Sequence, residues 1–165
     1  MEQKYSAPPE QVFALLTDPK WLEARSAALG ELSAAVKAKK SGGGVTLTMK
    51  RRVRRELPGL LAKVMSPESD LMFDEQWNPA EDGARQGTLA MTAQGQPVKM
   101  TAQFELLPAG KGSVYRITHK TKSSVMLIGG AVEKFALGQI EQGCAEEFAY
   151  LVDYLKTHKQ PAAKK

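Results

Sequence analysis

The sequence is poor in the residues on which many enzyme classes depend. It holds one cysteine, Cys144, and two histidines, His119 and His158. A single cysteine excludes an intramolecular disulfide, and its place on or beside an apolar stripe near the C-terminus gives it a packing role. No histidine stands in useful sequence context to form a nucleophile pair with it. No Cys/His or carboxylate set has zinc-ligand spacing, so neither a metal nor another cofactor is expected. The stretch Gly42-Gly43-Gly44 lacks the Lys-Ser/Thr and the following helix of a phosphate-binding loop. Long hydrophobic runs are missing too. No segment approaches the length of a membrane span, and MEQKYSAPPE has no basic start followed by an apolar core, so a cytoplasmic protein is expected.

What is present is the composition of one globular domain: 165 residues, 42% hydrophobic and 25% charged. We assign residues 1–160 to that domain and 161–165 to a frayed basic tail. The net charge of +5 gathers in Lys50 to Arg55 (KRRVRR), in Lys37, Lys39 and Lys40, and in Lys120 and Lys122. Such a cluster either guards a solvated strand edge or attracts phosphate groups and anionic lipid, which makes Lys50, Arg52 and Arg54 candidates for transient contact with a membrane surface. No stacking aromatics interleave KRRVRR, so nucleic acid is not an expected partner.

Hydrophobic periodicity orders the chain. A short strand, Gln3 to Ser6, precedes Pro8-Pro9 and a helix carrying Val12, Phe13, Leu15 and Leu16. A second short helix runs from Lys20 to Leu29 and stops at Gly30. From Glu31 the period changes to two, with Leu32, Ala34, Val36 and Ala38 on one side. Five more strands follow, with Leu47, Met49, Arg51 and Val53 facing inward, then Leu71, Phe73, Glu75 and Trp77, then Leu89 and Met91, then Met100, Ala102 and Phe104, then Tyr115, Ile117 and His119. The chain ends in a long amphipathic helix from Met126 to His158, whose face is Val132, Phe135, Ala136, Gln139, Ile140, Gly143, Cys144, Glu147, Phe148, Leu151, Val152 and Leu155. Gly138 and Gly143, placed on its buried side, each cost about 1 kcal/mol relative to Ala and imply close packing or room left open. The fold class is α+β: a curved antiparallel sheet of about seven strands, ordered β-α-α-β×6-α, around a long C-terminal helix.

Tyr5-Ser6-Ala7-Pro8-Pro9-Glu10-Gln11-Val12-Phe13 through Asp18, followed by Trp21-Leu22, resembles the opening of the helix-grip superfamily of START-related, Bet v 1-like and polyketide-cyclase-like (SRPBCC) domains. Ser124 to Phe135, with Gly129-Gly130 leading into the helix, is similar to an uncharacterised bacterial branch. The resemblance implies an apolar cavity between sheet and helix, although the same side chains can instead fill a closed core. Carried over by strand parity, its lining is Leu47, Met49, Phe73, Leu89, Met91, Met100, Ala102, Phe104, Tyr115 and Ile117, with Phe135, Gln139 and Gly143 from the helix. The expected occupant is a hydrophobic small molecule, a lipid or polyketide-like compound, and the expected role is that of a non-enzymatic carrier or sensor.

Two alternatives stand beside it. His119, Glu75 and Arg51 face inward by parity, so either they meet as a small polar group or bulges turn some of them out. If they meet, a cyclase-like enzyme is possible, with His119 as general base and Arg51 steering an enolate. The second alternative is a ligand-free interaction module.

Overall fold

The computed structural model of the chain describes residues 1–158, so the expected tail at 161–165 lies outside the described residues. Strand β1 (Glu2–Tyr5) leads to helices α1 (Pro9–Leu16) and α2 (Pro19–Ala28). Both helices open with proline in the first turn, where the missing N–H is not needed. Asp18 caps α2 by accepting the Lys20 N–H at 2.9 Å.

Six strands follow: β2 (Ser33–Ser41), β3 (Gly44–Arg54), β4 (Glu68–Trp77), β5 (Arg85–Ala93), β6 (Val98–Ala109) and β7 (Gly112–Ser123). They join β1 in a seven-stranded sheet of order β1-β7-β6-β5-β4-β3-β2. Every pairing is antiparallel, and β1 closes onto β7 through Gln3 opposite Tyr115. The expected period of two holds along β3 and most of β6, where buried and exposed residues alternate. It fails along edge strand β2: only Val36 is buried there, Leu32 and Ala38 are exposed, and Ala34 is half-buried. An edge strand has one neighbour and, here, little cover beyond α2.

Helix α3 (Gly129–Thr157) has 29 residues, which makes it about 43 Å long. It starts three residues later than Met126, the expected first residue, because Leu127 adopts a left-handed backbone at φ 67° that no helix can continue. Met126 and Leu127 are left outside, 85% and 104% exposed.

The buried residues of α3 fall in two groups, Val132 and Ala136 near its start and Phe148, Leu151 and Leu155 near its end. The first group packs with Leu61, Ala93 and Val98, and the second joins the main core with Trp21, Leu22 and Tyr115. Gln139, Ile140, Gly143, Cys144 and Glu147, between the two groups, are only half-buried. The continuous face expected from the sequence is therefore interrupted: α3 is fully buried at both ends and only half-buried in the middle, where Ile140 and Cys144 still touch the main core.

A cluster of rings closes the sheet side below α1. Trp77 lies 5.3 Å from Phe13, 4.5 Å from Phe104 and 6.2 Å from Tyr115, and Phe148 of α3 meets Tyr115 edge-on at 5.7 Å. Gly87 of β5 makes the cluster possible, since a Cβ there would overlap both the Phe104 ring and the Gln76 carbonyl.

Candidate functional site

Between the sheet and the half-buried middle of α3 lies a cavity of about 200 Å³. An apolar cavity of about 150 Å³ is enough to admit benzene. Strands β3 to β7 supply Met49, Arg51, Phe73, Glu75, Trp77, Leu89, Met91, Met100, Tyr115, Ile117 and His119, and α3 supplies Phe135, Gln139, Ile140, Gly143, Cys144 and Glu147. Arg55, Leu57, Met65 and Ser66 line the far end. Ser66 is exposed and the other three are half-buried, so the cavity reaches the surface between β3 and β4.

Met49, Phe73, Leu89, Met91, Met100, Tyr115, Ile117, Phe135, Gln139 and Gly143 all face this space. Leu47, Ala102 and Phe104 do not line it. They share the inward parity but lie in the closed core. Leu47 is wholly packed, the Ala102 methyl is short between Leu89 and His119 on the neighbouring strands, and the Phe104 ring is spent against Trp77 and Gly87. The two helix glycines also separate. No atom lies within 4 Å of where a Gly143 Cβ would stand, and that residue borders the cavity. Gly138, expected on the buried side, is exposed on the outer side of the helix.

Arg51, Glu75 and His119 reach the same cavity, yet no hydrogen bond or ion pair joins any two of them among the described residues. Arg51 is committed elsewhere. Its Nε donates to Glu31 at 2.9 and 2.7 Å and its Nη1 donates to Glu147 Oε1 at 2.8 Å. Glu147 also takes Arg25 of α2 at 3.2 Å. The four side chains form a balanced ionic chain linking α2, the segment after it, β3 and α3. Burial opposes the Glu147 charge, but Arg25 and Arg51 outweigh it and hold the carboxyl below its ordinary range. Burial likewise opposes the Arg51 charge and is outweighed by Glu147 and Glu31, so its value rises.

Glu31, Arg25 and Glu147 carry structure that the sequence reading left without a role. The signal was a carboxylate at 147 on an otherwise apolar helix face, which demands a buried cation. His119 is half-buried, and burial lowers its proton affinity. Glu75 accepts a hydrogen bond from the Trp77 indole N–H and makes no other among the described residues. Burial pushes its carboxyl up to about 7, against the opposing pull of that bond. Burial, with Glu147 nearby, pushes the Cys144 thiol up to about 12, so it stays protonated near neutrality.

The cations of the basic strand are also engaged. Lys50 meets Asp70 at 2.9 Å, Arg52 meets Glu68 at 2.9 Å, and Arg54 pairs with Glu68. No helix among the described residues is long and apolar enough to cross a membrane.

A family model described as "Protein of unknown function (DUF2505)" matches residues 1–155. The chain belongs to this family. No curated protein matches it. Among solved structures it is similar to Ara h 8.0201, at 13% identity and a TM-score of 0.59, with 96% of each chain covered. An uncharacterised protein from Rhizobium leguminosarum also has 13% identity and a TM-score of 0.59, over 96% of this chain and 93% of that one. Protein Ms6760 from Mycobacterium smegmatis has 12% identity and a TM-score of 0.55, over 95% and 90%. At such identities the likeness shows the fold alone. That fold is the helix grip expected from the opening motif, a seven-stranded antiparallel sheet with a long C-terminal helix packed on it.

Proposed function

We propose that this protein is a non-enzymatic carrier or sensor that encloses a hydrophobic small molecule, lipid or polyketide-like, between its sheet and α3. The observation that carries the reading is the 200 Å³, mainly apolar cavity under the half-buried middle of α3, with open space at Gly143. Methionines 49, 91 and 100 on its wall adapt to irregular apolar shapes. Each Å² removed from water contributes about 25 cal/mol before the cost of ordering the ligand. The ionic chain supports binding over catalysis, since the Arg51 charge is already matched by two carboxylates, Glu31 and Glu147. Within this reading the exposed Met126 and Leu127, rather than the paired cations of β3, are the side chains offered to a lipid surface.

Native mass spectrometry of protein extracted gently from its own host tests the proposal. A reproducible bound hydrophobic mass is expected. Protein that arrives empty and binds nothing across a panel of lipids and polyketides would refute it.

A further inference from the structure

Deep in the cavity wall, away from Arg55 at the mouth, one carboxylate has no cationic partner among the described residues: Glu75. Arg51 is taken by Glu31 and Glu147, and Arg25 is taken by Glu147. The Arg25 Nε–H is buried and lacks a partner among the described residues, but the guanidinium charge is matched by Glu147. Glu75 is in the opposite position. One bond from the Trp77 indole is its whole complement, while a carboxylate accepts up to about four. Its neighbours across the sheet, Leu47 on β3 and Leu89 on β5, are apolar and can donate nothing. The Tyr115 hydroxyl of β7 faces the same cavity and makes no hydrogen bond among the described residues.

Natural cores do not leave a carboxylate half-bonded against an apolar wall without a use for it, because the desolvated acceptor is costly. We infer that Glu75 anchors the ligand, and that the cavity selects an apolar molecule ending in a hydrogen-bond donor, a hydroxyl or an amine, over one ending in a carboxylate. The inference rests on the reading of the cavity as a ligand site. A donor head completes the Glu75 shell, and a hydroxyl head can in addition accept from Tyr115. A carboxylate head meets a like charge with every nearby arginine already neutralised. The groups that face Glu75 are Arg25 from α2, Arg51 from β3, Tyr115 and His119 from β7, and Cys144 and Glu147 from α3; only Arg55, at the mouth, brings a cation without a carboxylate partner.

The test uses three naphthalene probes sized for the cavity: 2-naphthylmethanol, 2-naphthylmethylamine and 2-naphthoate. Their dissociation constants are measured calorimetrically at pH 8 on the full chain and on Glu75→Gln. The alcohol and the amine should bind at least about tenfold more tightly than the carboxylate, since like charges brought together away from water cost several kcal/mol. Glu75→Gln should shrink that gap mainly by improving 2-naphthoate. Equal binding of the three probes by the parent protein, or an unchanged ranking in the variant, overturns the anchoring role of Glu75 while leaving the carrier reading intact. If none of the probes binds, the cavity reading fails and this inference falls with it. Should Glu75→Gln not fold, the parent ranking still decides, and a pH series in a His119→Gln background supplies the second measurement. There 2-naphthoate should tighten as the pH falls from 8 to 5.5 and Glu75 takes up its proton, and a flat series would overturn the assignment.

Discussion

Replacing Glu75 by glutamine should make the protein more stable at pH 8 and not at pH 5. The unfolded chain holds this carboxyl near its ordinary 4.5, whereas burial pushes it up to about 7 in the fold. Between those values the folded state binds the extra proton, so stability falls as the pH rises, and above about 7 the full cost is present. At about 1.4 kcal/mol for each tenfold change in proton affinity, a rise from 4.5 to about 7 amounts to about 3 kcal/mol. Glutamine keeps the shape and an oxygen for the Trp77 indole, and because the value of about 7 already includes the pull of that bond on the charged form, no further loss is subtracted. The gain at pH 8 is about 3 kcal/mol, or a rise in Tm of about 9 °C for a chain of this size. At pH 5 the parent carboxyl is already protonated when folded, and the two proteins should be equal or the variant slightly weaker. Urea unfolding followed by tryptophan fluorescence at pH 5, 6, 7 and 8 measures this directly. Parallel stability curves for parent and variant across that range would refute the burial argument, and with it the account of Glu75 as a group maintained at the expense of stability.

Other perturbations separate the parts of the structure. Glu147→Gln strands Arg25, which has no other carboxylate partner among the described residues, and should destabilise by about 3 kcal/mol in urea unfolding. Because Glu147 is held below its ordinary 4.5, its contribution is complete above that value and lost as the pH falls further, so the variant should lack that part of the acid transition. Gly143→Ala adds a methyl to open space and should raise stability by about 1 kcal/mol, whereas Gly143→Leu should abolish probe binding without loss of helical circular dichroism; strong destabilisation by either would mean that the helix presses on the sheet. Gly87→Ala drives a Cβ into the Gln76 carbonyl and the Phe104 ring and should yield little folded protein, while Gly138→Ala, on the open outer side, should stabilise as measured by Tm. Cys144, with its thiol pushed up to about 12, should react with a disulfide reagent at pH 8 at least about a hundredfold more slowly than a free thiol.

The parts of the fold that a repeat of two controls were legible in the sequence. Arg51, Glu75 and His119 were placed on the cavity side by parity alone, because a residue that turns outward in a regular strand must shift every neighbour with it. Parity is silent about depth along the strand, which is why Leu47, Ala102 and Phe104 share the right face but sit in the closed core. It is equally silent about partners. Arg51 meets Glu31 and Glu147, residues 20 and 96 positions away, and only the assembled fold brings them to it. On the helix, periodicity identified the face but could not register that its middle lacks a floor, nor that Gly138 has rotated to solvent while Gly143 has not. The start of α3 was misplaced because Met126 and Leu127 look like the first turn of an apolar stripe, and nothing local announces that Leu127 is left-handed.

A helix fully buried at both ends and only half-buried between them bends most easily in its middle. The stretch from Ala136 to Glu147, where ion pairs tie it to Arg25 and Arg51, is about 16 Å long and the helix about 10 Å wide, so an outward bow averaging about 0.5 Å would add about 80 Å³. That is a large fraction of the 200 Å³ beneath it. The size of the chamber is therefore a soft quantity, set by how far a single element flexes, while its sheet wall stays fixed by hydrogen bonds. A container of this kind discriminates poorly by girth, and selection passes to the few polar atoms that cannot move with the roof.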